Sequence, residues 1–259
     1  MPDSPGWRRH RASSLVAVLL LLGVTAGCGG SSGPVTLTVL GASSLTEAFG
    51  EMGVAYSQAN PGVKVRLEFG GSQEMADRLS DHDPGDVLVT ADEASMKKAD
   101  RYLTGPRPIV AHNSMTIAVM PGNPRGIRDL RDLARPGLRV VAGAETVPVG
   151  RYARQALTRA GVTVRWSSEE ISARAVLDRI RSGDADAGLV YITDLESAGA
   201  AASSVPIPAA LNVTAAYPAA AVKGGPHLDE ANAFVSWLST PEAQKLLNKY
   251  GFASPGPAR

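Results

Sequence analysis

Short runs of aliphatic and β-branched residues alternate with amphipathic stretches along almost this whole chain, and that alternation fixes the fold class. Residues 36–40 (TLTVL) read as a strand, and 45–60 as a helix with Leu45, Phe49, Met52 and Tyr56 on one face. Asn60-Pro61-Gly62 ends that helix. Residues 63–69 alternate as a strand, 73–79 can form a helix, 87–90 (VLVT) have the composition of a buried strand, and 93–101 follow as a helix. The order β-α-β-α-β-α calls for a parallel sheet covered by helices. The pattern restarts after Pro106 and Pro108, with strands at 115–120, 139–142, 187–191 and 217–222. Helices are expected at 127–134, 149–160, 172–182, 228–238 and 241–248. With hydrophobic residues at 44%, the chain can bury a sizeable core. From Val35 onward it reads as one large α/β domain or two smaller ones, without an internal repeat.

The first 27 residues have a different character. Arg8, Arg9 and Arg11 precede an apolar run from Leu15 to Val24, and the small residues Thr25, Ala26 and Gly27 lead into Cys28. This is the layout of a secretory signal peptide, predicted here for residues 1–27. The run is shorter than the roughly 20 apolar residues of a membrane-spanning helix. Cys28 is the only cysteine, which rules out an intramolecular disulfide. A lone cysteine is most often a small buried hydrophobe, but this one stands where a signal peptide is cut. The segment resembles a bacterial lipobox, with Thr25 in place of the usual leucine. Lipidation at Cys28 is therefore expected, with residues 28–34 as a flexible tether and the chain held at the outer face of the cell membrane. Stable attachment of this kind takes more than one acyl chain.

Several chemistries find no support. A net charge of +1 and 5% aromatic residues leave no footprint for nucleic acid. The histidines at 10, 82, 112 and 227 lack metal-ligand spacing, and Asp81-His82-Asp83 reads as a solvated loop. Neither a phosphate-binding Gly-rich loop with Lys-Ser/Thr nor a Gly-x-Ser-x-Gly elbow is present. Strand-to-helix junctions are more informative. Gly41-Ala42-Ser43-Ser44 and Gly70-Gly71-Ser72 each carry a strand into a helix through small residues and a hydroxyl. A helix start presents free N–H groups and partial positive charge, which suits an anion. Each serine could equally be a plain N-cap. Glu145-Thr146-Val147-Pro148-Val149-Gly150 is a third junction, and Ser167-Ser168-Glu169-Glu170, ahead of the helix near Ser172, is a fourth.

Taken together and in order, several segments resemble one family, the molybdate-binding proteins of ABC importers. They are Ala42-Ser43-Ser44-Leu45-Thr46, Phe69-Gly70-Gly71-Ser72, the run from Gly85 to Asp92, Val147-Pro148-Val149-Gly150-Arg151-Tyr152-Ala153, the run from Gly183 to Tyr191, Tyr217-Pro218 and Lys249-Tyr250-Gly251-Phe252. The resemblance implies an α/β, two-lobe type II periplasmic-binding-protein fold, with mixed sheets, helices on both faces and a ligand cleft between the lobes. Lobe 1 would comprise residues 35–112 plus 218–259, and lobe 2 residues 113–217.

In the family the oxyanion is held without a positive side chain. Carried over, the resemblance assigns ligand contacts to Ser44, Ser72, the N–H of Val149 (where alanine is more usual), the N–H of Ala173 (where valine is more usual) and the phenol of Tyr191. Ser43 beside Ser44 leaves a one-residue choice at the first position. The implied function is extracytoplasmic capture of molybdate, with tungstate, and delivery to an ABC permease and its ATPase. No catalysis, cofactor, metal ion beyond the oxyanion or nucleic acid is involved, and the protein would act as a monomer. A donor-only site disfavours hydrogen phosphate, whose own proton would lack an acceptor. Sulfate capture and a non-transport ligand-sensing domain are the alternatives.

Overall fold

The computed structural model describes residues 33–80 and 85–256. The signal peptide expected at 1–27, Cys28 and most of its tether, and the loop residues Asp81, His82 and Asp83 lie outside the described residues. The first part of the chain forms β1 (Val35–Ala42), α1 (Thr46–Ala59), β2 (Val63–Gly70), α2 (Ser72–Arg78), β3 (Val87–Val89), α3 (Glu93–Lys98) and β4 (Leu103–Thr104). A long strand β5 (Ile109–Val119) leads on to β6 (Val140–Gly143), α4 (Pro148–Ala160), β7 (Ser168–Glu170), α5 (Ala173–Arg181), β8 (Ala187–Tyr191), α6 (Ile192–Ala198) and β9 (Ser203–Pro206). A second long strand β10 (Thr214–Val222) returns, and α7 (Leu228–Trp237) and α8 (Pro241–Lys249) close the chain.

The sheet runs β2-β1-β3-β10-β5-β8-β6-β7. Its two ends repeat one topology. A trio of parallel strands has its first member in the middle (β2-β1-β3 and β7-β6-β8), and an antiparallel strand lies beside the third, β10 beside β3 and β5 beside β8. β5 and β10 join the ends by exchanging partners part-way along. Residues Thr214 to Pro218 of β10 pair with β5, and Ala219 to Ala221 with β3. Residues Ile109 to Ser114 of β5 pair with β10, and Met115 to Val119 with β8 and β9. The register slips between Tyr217 and Pro218. Proline has no N–H to give a ladder and is tolerated in a central strand only at such an irregularity, so Pro218 marks the changeover.

Apolar periodicity of α1 and α4 buries the expected faces, Phe49, Met52 and Tyr56 on one and Ala153, Ala156 and Leu157 on the other. Tyr56 meets Phe234 and Trp237 of α7 edge-on at 4.9 and 5.1 Å. Antiparallel bonds between His112 and Ala253 (2.7 and 2.9 Å) fasten the C-terminal segment to β5.

The structure departs from the sequence expectations at several boundaries. The strands expected at 115–120 and 217–222 begin earlier, at Ile109 and Thr214. His112, Asn113 and Ser114 interrupt the apolar run of β5. Asn113 is nevertheless buried, with its amide fully engaged. The helix expected at 127–134 is a 3-10 turn, Leu130–Ala134, which Asp129 caps by accepting from the N–H of Arg131 at 2.8 Å. Residues 93–101 break at Lys98 into a second 3-10 turn. The junction 167–170 contains a short strand, β7, parallel to β6, and α5 starts after its cap Ser172. The sequence reading missed α6 and β9. Both are short, and β9 ends on Pro206, which suits an edge.

Candidate anion site

The carboxyl ends of β1, β2, β6, β7 and β8 converge. Between them lies a cavity lined by residues that follow each strand, among them Ser43, Ser44, Gly71, Ser72, Val147, Val149, Ser172, Ala173 and Tyr191. Ligands of open α/β sheets bind outside the carboxyl ends of strands. The room for the centre of a water-sized sphere is ≈ 10 Å³, so an occupant has few heavy atoms. All five residues carried over from the sequence resemblance line this one cavity, and so does Ser43.

Each position has a local cause. Ser44 sits in a 3-10 turn between β1 and α1, buried, with its Oγ 2.8 Å from the Tyr217 hydroxyl. Ser43 offers its carbonyl to the Thr46 hydroxyl at 2.7 Å, so its backbone is tied to the helix start. Ser72 opens α2, and its Oγ accepts the Ala91 N–H at 2.9 Å. It is therefore not the plain N-cap that sequence alone allowed, and its own proton remains for the cavity. Val149 is the second residue of α4 after Pro148, and Ala173 the first of α5. N–H groups in a first helical turn have no partner within the helix. Ser172 caps α5 by accepting from Ala175 at 3.1 Å.

Two glycines make the convergence possible. A Cβ on Gly150 would overlap the carbonyl oxygens of Gly143 and Ala144, so only glycine lets the first turn of α4 close onto the end of β6. A Cβ on Gly71 would overlap the carbonyl oxygen of Ile171, where the β2–α2 and β7–α5 junctions meet across the cavity.

Tyr191 ends β8 with its side chain buried, and its hydroxyl has no hydrogen-bond partner among the described residues. Its ring meets Tyr152 and Tyr217 edge-on at 6.5 and 6.1 Å. Burial, helped by these phenols and by Asp194, holds its pKa well above the ordinary value, so it stays protonated and donates. Burial likewise pushes Tyr152 up to about 12. No charged side chain lines the cavity. The nearby charges are paired and bridge the two ends of the sheet. Arg151 of α4 holds Asp92, with Nε to Oδ2 at 3.0 Å, and reaches Ser95; Arg174 of α5 holds Glu47 of α1. Groups of histidine, cysteine and carboxylates that could hold a metal ion are absent among the described residues.

The arrangement is thus a small, uncharged pocket lined by hydroxyls and helix starts. The profile of bacterial extracellular solute-binding proteins matches residues 37–253. The chain belongs to that family. A curated relative, the molybdate-binding protein ModA of Mycobacterium tuberculosis, is 35% identical over 256 residues, covering 94% of this chain and 98% of the relative. Among solved structures, the periplasmic molybdate-binding protein of Azotobacter vinelandii superposes with a TM-score of 0.75 at 22% identity, covering 85% of this chain and all of that one. The sulfate-binding protein SubI of M. tuberculosis superposes with a TM-score of 0.77 at 22% identity, covering 86% and 88%. The α/β fold with helices around a mixed sheet is that of the periplasmic solute-binding proteins, and membership makes this a binding protein.

Sequence reasoning missed the groups behind this lining. Tyr217 appeared only as part of a resembling dipeptide, and Asn113, Thr193 and Asp194 carried no motif. Asp194 is buried, and its Oδ2 accepts the Tyr191 N–H at 3.0 Å. Burial is the largest influence and lifts its pKa to about 7, against the Tyr191 N–H and Arg174, which lower it, and with Glu47, which raises it. The native carboxyl therefore holds its proton up to about pH 7, whereas the unfolded one loses it near 3.8. Its contribution to stability is full below that lower value and is lost as pH rises through about 7. Asp194→Asn should remove this slope, so its melting temperature relative to wild type should rise between about pH 5 and about pH 8. A pH-independent difference would mean that the Asp194 carboxyl does not titrate in this window.

Proposed function

We propose that this protein captures molybdate, and tungstate with it, outside the cytoplasm and delivers it to the permease and ATPase of an ABC importer. The observation that carries the reading is the buried, unpartnered Tyr191 hydroxyl in an uncharged cavity shared with two serine hydroxyls. A tetrahedral dianion with no proton of its own is the ligand such donors suit. The oxyanion would accept from Ser44, Ser72, Tyr191 and the N–H groups of Val149 and Ala173. Hydrogen bonds to a charged acceptor are roughly twice as strong as neutral ones, and the starts of α4 and α5 add favourable dipoles. The molybdate-binding function of the mycobacterial relative supports the same ligand.

In this reading residues 35–112 plus 218–259 and residues 113–217 act as two lobes hinged at β5 and β10. The pairs Asp92–Arg151 and Glu47–Arg174 hold them closed over the anion. Both walls of the cavity come from one chain, so a monomer suffices. Equilibrium dialysis of the full chain against molybdate, tungstate, sulfate and phosphate at neutral pH tests the ligand. Tight retention of molybdate and tungstate with weak sulfate and negligible phosphate supports the proposal. Preference for sulfate would make it a sulfate-capture protein, and preference for phosphate would overturn the donor-only site.

Localisation rests on the leader and Cys28. The protein should partition with membranes and incorporate labelled fatty acid in a bacterial host. Cys28→Ala should release it or leave the precursor uncut. Equal membrane association of wild type and variant would contradict the lipid anchor.

A further inference from the structure

We infer that Asn113 and Tyr217, which lie behind the cavity on the strands that join the two ends of the sheet, set the hydrogen-bond polarity of Ser44 and so help the site choose an unprotonated anion. The inference rests on the oxyanion reading above. The Asn113 amide has a fixed orientation, because its Oδ1 accepts the N–H of Ser114 at 2.9 Å. Its Nδ2 therefore faces the other way and donates twice, to the Thr193 hydroxyl at 2.8 Å and to the Tyr217 hydroxyl at 3.3 Å. A phenol has one proton. With Asn113 donating to its oxygen, the Tyr217 proton turns to the remaining neighbour, Ser44 Oγ at 2.8 Å. Ser44 then accepts from Tyr217 and has its own proton left for the cavity.

The relay is buried throughout. Asn113, Thr193, Ser44 and Tyr217 all lie in the interior. Burial raises the Tyr217 phenol pKa, while its bonds to Ser44 and Asn113 act in the opposite direction, so its proton is present at neutral pH. The Tyr217 ring is packed edge-on between Tyr191 and Phe252, at 6.1 and 5.3 Å, which keeps the hydroxyl aimed at Ser44. Ser72 reaches the same polarity by a different route, through the Ala91 N–H. A serine held in this way has little capacity to accept a proton from a ligand. An anion that brings its own proton meets a donor where it needs an acceptor.

The test compares two anions of equal charge, so that general electrostatic effects cancel. At about pH 8 molybdate is a dianion without a proton, and inorganic phosphate is mostly a dianion with one. The ratio of their affinities is measured by calorimetry and competition on the full chain, for wild type, Tyr217→Phe and Asn113→Leu. Tyr217→Phe keeps the ring packing and deletes the donor. Asn113→Leu keeps Tyr217 and frees its proton. Either change lets Ser44 turn its lone pairs to the cavity. The molybdate-to-phosphate ratio should narrow about 10-fold or more in both variants, the worth of one hydrogen bond to a charged group. A role confined to packing would weaken both anions alike. A ratio unchanged in either variant overturns the relay. Absence of molybdate binding in wild type would instead overturn the ligand reading.

Discussion

Tyr191→Phe, Ser44→Ala and Ser72→Ala are each expected to weaken molybdate binding about 10- to 100-fold, with little change in the melting temperature of the ligand-free protein. A hydrogen bond to a charged group is worth roughly 1.5–3 kcal/mol, and each ~1.4 kcal/mol is tenfold in affinity. The stability half of the expectation follows from the partners. The Tyr191 hydroxyl makes no hydrogen bond to another described group, so its removal breaks nothing in the empty protein. Ser72 and Ser44 each have one, to the Ala91 N–H and to Tyr217, so their loss should show as a small destabilisation. Ligand should raise the melting temperature of wild type more than that of any variant, because it stabilises only the folded state. Ser43→Ala is the internal control and should bind almost normally. Loss of binding in Ser43→Ala with retention in Ser44→Ala would move the first contact by one residue. Wild-type affinity in all three site variants would refute the assigned donors.

Gly71→Ala should weaken binding without removing any donor. Its new Cβ would press on the Ile171 carbonyl oxygen across the cavity, and both are backbone-borne positions that cannot rotate away. Overpacking of this kind costs roughly 1–3 kcal/mol, or about 5- to 150-fold in affinity. Since the clash lies between the two ends of the sheet, the ligand-free protein should keep its melting temperature. Calorimetry read alongside solution scattering checks this, and the variant should stay expanded at molybdate concentrations that compact wild type. Wild-type affinity in Gly71→Ala would mean that the two junctions need not approach for binding.

Much of the fold was legible in the sequence because the elements that build it are long and periodic. The apolar faces of α1, α4 and α5 and the strands around Val39, Val89 and Leu189 mark an α/β sheet without reference to any relative. The strands that tie its two ends together were harder to read. In β5 the run breaks at His112, Asn113 and Ser114, and in β10 Pro218 looks like a terminator. Both features belong to the changeover of partners, so the signals that normally end a strand here lie inside one. The lining of the site was legible for a different reason. Small residues and hydroxyls at strand-to-helix junctions have few other uses when several occur in one sheet, and the resemblance named which of them meet. The layer behind it was not legible. Asn113 and Tyr217 are 104 residues apart, and nothing in spacing or composition says that an amide on one strand governs a serine proton through a phenol on another. Asp194 is equally silent in sequence, since only burial separates it from an ordinary helix-start carboxylate.

The most direct test of the central claim is anomalous diffraction at the molybdenum absorption edge from crystals of the protein grown with molybdate. One strong peak is expected in the cavity, at the centre of an oxyanion whose oxygens accept from Ser44, Ser72, Tyr191 and the N–H groups of Val149 and Ala173. A peak instead on the arginines of α4, Arg154 and Arg159, or no ordered peak in the cavity, would contradict the molybdate reading.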